Sequence, residues 1–331
     1  MKVMVTGATG FIGANLVRAL LEQGYQVKAL VRKESTRKNI EGSDIEVVFG
    51  DLRDMTSLGM ALNGCEVLFH VAASYTFWSP DPKDIYETNV KGTENILAAA
   101  IAEGIKRVVY TSTESTIGIA KNGSLGTEEK ETDPGALAGH YKKSKYMAEK
   151  LALEMCHDGL PLVIVNPTMP VGPLDIKPTP TGQIIVDFLN RKMPAYVNTG
   201  LNVVDVEDVA RGHILALEKG RIGERYILGN KNLTLKEIFA ILENISGIKA
   251  PQLRIPICFA LGIAHADELI EGMVLRRHPR IPVAGVKTAR KFRHFDCSKS
   301  IRELGLPQTP VEEALEKSVR WFKQNGYVRQ N

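Results

Sequence analysis

The sequence lacks any apolar run long enough to cross a bilayer. Its most apolar stretch, Ile255 to Ala266, is short and carries Pro256, so it reads as a buried helix instead. Cysteine is scarce: Cys65, Cys156, Cys258 and Cys297 stand far apart, with neither a CxxC pair nor Cys/His ligand spacing. That argues against disulfides and zinc and for reduced thiols, and no metal site is expected. Neither sign of charge dominates. The 42 Lys and Arg against 38 Asp and Glu leave +4 over 331 residues, too diffuse for a nucleic-acid binder. Internal repeats and low-complexity tracts are missing as well. The chain opens directly into Lys2–Thr6, leaving no room for a cleavable signal. The expectation is a cytoplasmic protein acting on a small molecule, with 44% apolar residues to build a sizeable core.

Short β-branched runs alternate with helical patterns over the first half. Lys2–Thr6, Gln26–Val31, Ile45–Phe49, Glu66–Val71, Arg107–Thr111 and Leu162–Asn166 read as strands. Phe11–Gln23, Asp84–Ala102 and His140–Cys156 read as the helices between them. This βαβ rhythm predicts an α/β fold, a Rossmann-type doubly wound parallel sheet, over residues 1–166 with later returns around 200–230. After Asn166 prolines crowd the chain at 167, 170, 173, 178 and 180, which marks a crossover. Residues 167–331 are expected to form a smaller, mainly helical, discontinuous substrate lobe. Its helices are placed at Gly182–Arg191, Val206–Lys219, Leu235–Ser246, Ile257–Arg276 and Val311–Asn325, with a strand at Arg225–Leu228.

Gly7, Gly10 and Gly13 follow the first strand and open the first helix. In that context the spacing reads as a dinucleotide site: a tight turn, close approach of backbone to a pyrophosphate, and a helix N-terminus facing the anion. Thr6, Phe11 and Ile12 flank it. At the end of the second strand, where an acid would meet the adenosine ribose, stands Arg32, with Arg37 nearby. Guanidinium groups there suit a 2′-phosphate, so NADP(H) is favoured and NAD(H) kept as the alternative; a solvated charge run is the plainer reading. Asp51 and Leu52 follow the third strand and are assigned to the adenine. Ala72 and Ala73 follow the fourth and would let the cofactor pass closely, while Thr111 ends the fifth.

Two Tyr-x-x-x-Lys pairs share one helix, Tyr141/Lys145 and Tyr146/Lys150. Helical phase separates them: Tyr141 and Lys145 lie with Ala148 and Ala152, Tyr146 and Lys150 with charged residues. The first pair is the candidate. A lysine ammonium one turn along, with the positive nicotinamide ring of an oxidised cofactor, would favour the phenolate and make Tyr141 a proton shuttle. The fifth strand ends in the hydroxyl-rich run Thr111 to Thr116, at the sheet edge where open α/β folds bind ligands.

With His70-Val-Ala-Ala73, Asn89-Val-Lys-Gly92-Thr93, Asn166-Pro167, Val206-Glu-Asp208-Val-Ala210 and Gly223-Glu-Arg-Tyr226 added, nearly the whole chain resembles the extended short-chain dehydrogenase/reductases, the group of nucleotide-sugar epimerases and dihydroflavonol reductases. Phe77 to Pro82, Asp175 to Gly182, Met193 to Tyr196 and Arg221 to Gly229 are similar to its hopanoid-associated sugar-epimerase branch. The resemblance implies that Thr113 is the catalytic Ser/Thr, that Tyr141 and Lys145 complete a triad, and that Pro167 and Thr168 border the nicotinamide. It also admits a homodimer. Three departures stand out. Ile117-Gly118 replaces the Tyr-Gly of sugar epimerases, and Glu114-Ser115 replaces the Asp-Glu pair of dehydratases, which disfavours dehydration. Arg32 sides with the reductases.

The substrate is expected to meet Tyr75, Trp78, Glu114, His140 and Met169, a largely apolar slot suited to an aromatic or polyprenyl-like molecule or a stacked sugar. The aromatics serve equally well as filling between lobes, and His140 as a solvent-facing helix residue. Arg276, Arg277, Arg280, Arg290, Lys291 and Arg293 cluster near the C-terminus; a solvated face is the simplest reading, with an anionic substrate group or peripheral contact with an anionic membrane as alternatives. Together these features predict NADP-dependent carbonyl reduction, with sugar epimerisation as the alternative and a cofactor-sensing binding protein as the rival outside catalysis.

Overall fold

In the first strand Val3, Met4 and Val5 have no exposed surface, as expected where a sheet is covered on both faces. The computed structural model describes residues 1–119 and 124–329. Strand β1 (Lys2–Thr6) is followed by α1 (Phe11–Glu22), β2 (Gln26–Val31), β3 (Glu46–Phe49), α2 (Met55–Leu62), β4 (Val67–His70), α3 (Lys83–Tyr86), α4 (Gly92–Ala102), β5 (Arg107–Thr111), α5 (Gly139–His157) and β6 (Leu162–Pro167). Then come β7 (Met169–Val171), α6 (Pro180–Leu189), β8 (Ala195–Val197), β9 (Gly200–Asp205), α7 (Val206–Lys219), β10 (Arg225–Leu228), β11 (Lys231–Thr234), α8 (Leu235–Ser246), β12 (Leu253–Ile255), α9 (Ile257–Asp267), α10 (Val283–Thr288) and α11 (Val311–Gln324).

Seven strands form one parallel sheet in the order β10-β6-β5-β4-β1-β2-β3. One face is covered by α1 and α7 through Leu16, Val17, Leu20, Val209 and Ile214. The other carries α2, α4 and α5 through Leu58, Leu62, Ile96, Leu97, Ala148 and Ala152. This is a doubly wound Rossmann sheet, as expected. The strand order runs outward in opposite senses from β1 and β4, and the crevice at that switch point is where such sheets take ligands.

The later residues build a second core from α6, α8, α11 and the strands β7 and β9, with Phe188, Phe239, Leu315 and Phe322 at its centre. It is less purely helical than expected. A three-stranded sheet, β11-β9-β7, and a two-stranded one, β12-β8, lie there. Their strands are short, and β7 contains Pro170, so no run long enough to signal a strand exists in the sequence. Helix α2 also escaped the sequence reading, though Asp54 caps it by accepting from the Thr56 N–H. The expected Asp84–Ala102 helix is α3 and α4 joined by a π-helical turn at Glu87–Lys91. A larger correction concerns Ile255 to Ala266: α9 is not buried. Phe259 is 67% and Ile263 43% exposed, because only one side of the helix packs, through Leu261 and Ala264 on Val283 of α10.

Candidate functional site

Gly7 sits at the switch point with φ +71°, in the left-handed region open to glycine, and a Cβ there would come within 2.7 Å of the Ala72 amide nitrogen. A Cβ on Gly13 would overlap the Gly7 carbonyl. Gly10 is the N-cap of α1 and brings no side chain to its first-turn N–H groups. Side-chain-free backbone, unpaired donors and a helix N-terminus thus converge on one crevice, a cradle that fits a pyrophosphate. Phe11 and Ile12 lie in that first turn, and Ala72 and Ala73 line the β4 side.

Several neighbours are placed differently from expectation. Thr6 is fully buried, and its hydroxyl accepts from the N–H of Val71 and Ala72 (both 3.2 Å) and bonds His70 Nδ1 at 2.8 Å. It ties β1 to β4 and has nothing left for a ligand. Asp51 is clasped by Arg53 through Nε and Nη2 at 2.9 and 2.8 Å, which holds its carboxylate down to about 2. Leu52 is buried with its carbonyl on Asn95. The Thr111 hydroxyl bonds His213 Nε2 at 2.9 Å on the α7 side of the sheet, so Thr111 offers its carbonyl, not its hydroxyl, to the site. Arg32 is exposed at the end of β2 and makes no ion pair among the described residues, while Arg37 lies 5.7 Å over the Phe49 ring. Thr168 bonds Asn202 Oδ1 at 2.9 Å, and Pro167 ends β6.

At the carboxyl end of β5 the structure brings Thr113, Tyr141 and Lys145 together. Helix α5 turns its small face inward, so Tyr141, Lys145, Ala148 and Ala152 are buried while Tyr146 stays outside. The Thr113 hydroxyl lies against the Tyr141 phenol and eases its ionisation, but burial outweighs this and keeps the phenol well above the usual tyrosine range. Lys145 donates to the Tyr110 hydroxyl at 2.9 Å and the Thr111 carbonyl at 2.8 Å, and not to Tyr141. Burial lowers its ammonium to about 7, and the Glu149 charge only partly opposes this.

The sequence reading gave no role to the supports of this cluster. Asn166 Nδ2 donates to the Thr113 carbonyl, Thr116 Oγ1 and Glu149 Oε2 at 2.9 to 3.1 Å, locking the turn after β5 to α5. Asn89 does the same on the other side, donating to Ser144 Oγ at 2.9 Å and accepting from the Ser74 N–H at 2.7 Å. Asn89 and Asn166 had been noted only as parts of motifs. Nothing in the sequence singled out Glu149 or Tyr110, whose roles exist only once α5 packs on β5.

On the substrate side the Tyr75 ring lies 4.6 Å from that of Tyr141. The other expected contacts are placed differently. Trp78 packs away from the pair, edge-on to His278 and against Gly272, where a Cβ would come 3.1 Å from the indole. Met169 is 3% exposed in the second core. His140 is exposed and bonds the Tyr86 hydroxyl at 3.1 Å, because its position on α5 points it outward. Glu114 is bound by Arg293, which also donates to the Glu114 carbonyl at 2.9 Å.

A parallel doubly wound sheet, a glycine cradle at its switch point and a buried Thr/Tyr/Lys cluster at the next strand ends define the class of nucleotide-dependent oxidoreductases. The chain belongs to the NAD dependent epimerase/dehydratase family, whose model matches residues 3–229. It is thus an NAD(P)-dependent enzyme of the extended short-chain dehydrogenase/reductase type. A Synechocystis relative with the provisional name dihydroflavonol 4-reductase is 49% identical, the match covering 98% of this chain and 95% of the relative. Sterol demethylase protein B of Methylococcus capsulatus is 36% identical over 99% and 100%. Among solved structures, a nucleoside-diphosphate-sugar epimerase from Pseudomonas aeruginosa superposes with a TM-score of 0.84 at 27% identity, covering 99% of both chains. Among the described residues no helix is long and apolar enough to cross a membrane.

Proposed function

We propose that this enzyme reduces a ketone on an aromatic or otherwise apolar molecule to the secondary alcohol, with NADP(H). The observation that carries the reading is the enclosure of Tyr141: buried beside Thr113, roofed by the Tyr75 ring at 4.6 Å, with the one adjacent acid, Glu114, taken up by Arg293. No free carboxylate of that turn remains to eliminate water from a substrate. Gly7, Gly10 and the first N–H groups of α1 hold the pyrophosphate, and Arg32 with Arg37 the 2′-phosphate. The cofactor, when bound, supplies the hydride that the carbonyl carbon takes up.

The Thr113 hydroxyl donates to the substrate carbonyl oxygen and fixes it beside Tyr141. A phenol kept protonated by burial is a proton donor, and Tyr141 passes its proton to that oxygen as the alkoxide forms. Lys145, held by Tyr110 and Thr111, stands one turn along α5 to stabilise the phenolate left behind and to meet the nicotinamide ribose. Tyr75 stacks on the substrate and excludes water. Sugar epimerisation is the second reading, favoured by the likeness over both chain lengths to the sugar-nucleotide epimerase and by the hopanoid-associated stretches.

The test incubates the enzyme with stoichiometric NADPH and a panel of aromatic, terpenoid and nucleotide-sugar ketones while absorbance of the reduced cofactor is followed. Steady loss with an apolar ketone supports reduction. Interconversion of sugar epimers with no net change in absorbance overturns it in favour of the second reading.

A further inference from the structure

Helix α9 and the π-helical turn that continues it (Glu268–Val274) leave one side uncovered. Phe259, Ile263, Ile270 and Met273 are 67, 43, 54 and 74% exposed, and with Ala266 their spacing places them along one stripe of the helical rod. Val274 extends that stripe at 71% exposure. A contiguous patch of large apolar side chains is not what a freely solvated surface carries. The opposite side is packed: Leu261 and Ala264 lie on Val283, and Gly272 lies on Trp78.

Cations rim this stripe. Arg276, Arg277 and Arg280 leave its end, and Lys287, Arg290 and Lys291 follow; all six are exposed and none is ion-paired among the described residues. Of the segment's three acids, Asp267 accepts from the Ile281 N–H at 2.8 Å and Glu268 from the Val283 N–H at 2.7 Å, and neither these nor Glu271 is paired with a cation among the described residues. Six cations stand against three acids, Asp267, Glu268 and Glu271, so the surface pairs bare apolar area with an excess of positive charge. A second copy answers only half of it: a two-fold contact sets the apolar stripe against itself but brings the same excess of cations and no anionic surface for the rim. An anionic bilayer supplies both halves, an apolar phase for the stripe and a negative surface for the rim.

We propose that α9, its π-helical continuation and the Arg276–Arg280 segment dock this enzyme on an anionic membrane surface. Phe259, Ile263, Ile270 and Met273 enter the interface while the arginines meet phosphate headgroups. The inner side of the same segment covers Trp78, three residues along the chain from Tyr75. The docking stands on this surface alone and does not depend on the reaction class.

Vesicle co-sedimentation of the full chain tests it, with phosphatidylcholine vesicles with and without phosphatidylserine and no substrate present. Binding is expected with phosphatidylserine, and added salt should weaken it. Each cation removed should cost about fivefold in partitioning, so the combined Arg276→Gln, Arg277→Gln and Arg280→Gln variant should lose about hundredfold. Phe259→Ser with Met273→Ser should lose binding while its thermal unfolding, read separately, stays that of the parent, since both side chains are solvent-facing. Absence of sedimentation with phosphatidylserine, or binding indifferent to both variants, overturns the proposal. So does a wild-type dimer in light scattering that Phe259→Ser with Met273→Ser dissolves, which would assign the stripe to self-association. Because the readout is partitioning, none of these outcomes bears on the ketone reduction.

Discussion

Tyr141 and Tyr146 share α5 and the same spacing to a lysine, yet their surroundings differ in everything chemistry needs. Tyr141 is enclosed with Thr113 against it, whereas Tyr146 stands outside with the Lys150 ammonium 5.8 Å over its ring. Tyr141→Phe removes the proton donor and is expected to lower kcat by roughly 10²–10⁴ with little change in cofactor affinity. Tyr146→Phe should leave turnover within about twofold of the parent, since its half-buried ring lies outside the Thr113/Tyr141/Lys145 cluster. Steady-state kinetics of the two variants decide the matter, and the reverse ranking would remove Tyr141 from the mechanism. Arg32 is argued the same way. Asp51, the nearest acid past the third strand, is locked to Arg53, so Arg32 stays free for an incoming phosphate. Arg32→Ala should weaken NADPH binding by about tenfold or more and leave NADH unchanged, as a charge-assisted contact is worth about 1.5–3 kcal/mol. Fluorescence titration of both reduced cofactors checks it; equal losses for the two would assign Arg32 to folding.

At the scale of elements, what could be read in advance follows from where the information lies. β1, β2 and α5 were legible because β-branched runs, a glycine turn and a small-residue face are local signals, and their bounds agree with expectation to within a residue or two. β7, β8 and β12 were not, because a three-residue strand exists only through a distant partner: Met169 pairs with Val203, and Leu253 with Ala195. The site divides the same way. The glycines and the Tyr/Lys pair announce themselves by spacing, whereas Glu114 was taken for a substrate contact because its partner Arg293 stands 179 residues further on. That ion pair joins the turn after β5 to the C-terminal lobe, and burial lowers the Arg293 guanidinium to about 10. Arg293→Ala leaves Glu114 half-buried without its counter-charge and should destabilise the fold by about 3–5 kcal/mol. Combining Glu114→Gln with Arg293→Met should recover most of that loss. Urea denaturation of the three proteins measures both effects, and a loss that the double variant fails to recover would show that packing, not charge, holds the joint.

Over the whole molecule, the proline-rich crossover is where the two cores are fastened, and a buried acid does the fastening. The Asp175 carboxylate accepts from the Thr179 N–H and Oγ1, both at 2.9 Å, and Thr179 in turn caps α6 by accepting from the Gly182 N–H. Close by, the Tyr327 hydroxyl donates to the Ile176 carbonyl at 2.5 Å. Burial raises Asp175 to about 7, although the Thr179 bonds pull it down. An unfolded aspartate loses its proton near pH 3.9, so between about pH 4 and about pH 7 the folded chain holds a proton that the unfolded chain has released. Stability contributed by this group is therefore full below about pH 4, declines as pH rises through that window, and is absent above about pH 7. Asp175→Asn keeps an acceptor for Thr179 and abolishes the titration. The variant should match or trail the parent near pH 4 and exceed it near pH 8, the difference growing by about 2–4 kcal/mol across the window. Comparing the two proteins at each pH cancels every other titrating group that the substitution leaves alone, and urea midpoints at both ends of the window read the difference directly. A difference that does not change with pH would mean that Asp175 ionises in the folded protein as readily as in water, and that the crossover is held by Thr179 and Tyr327 without help from a buried proton.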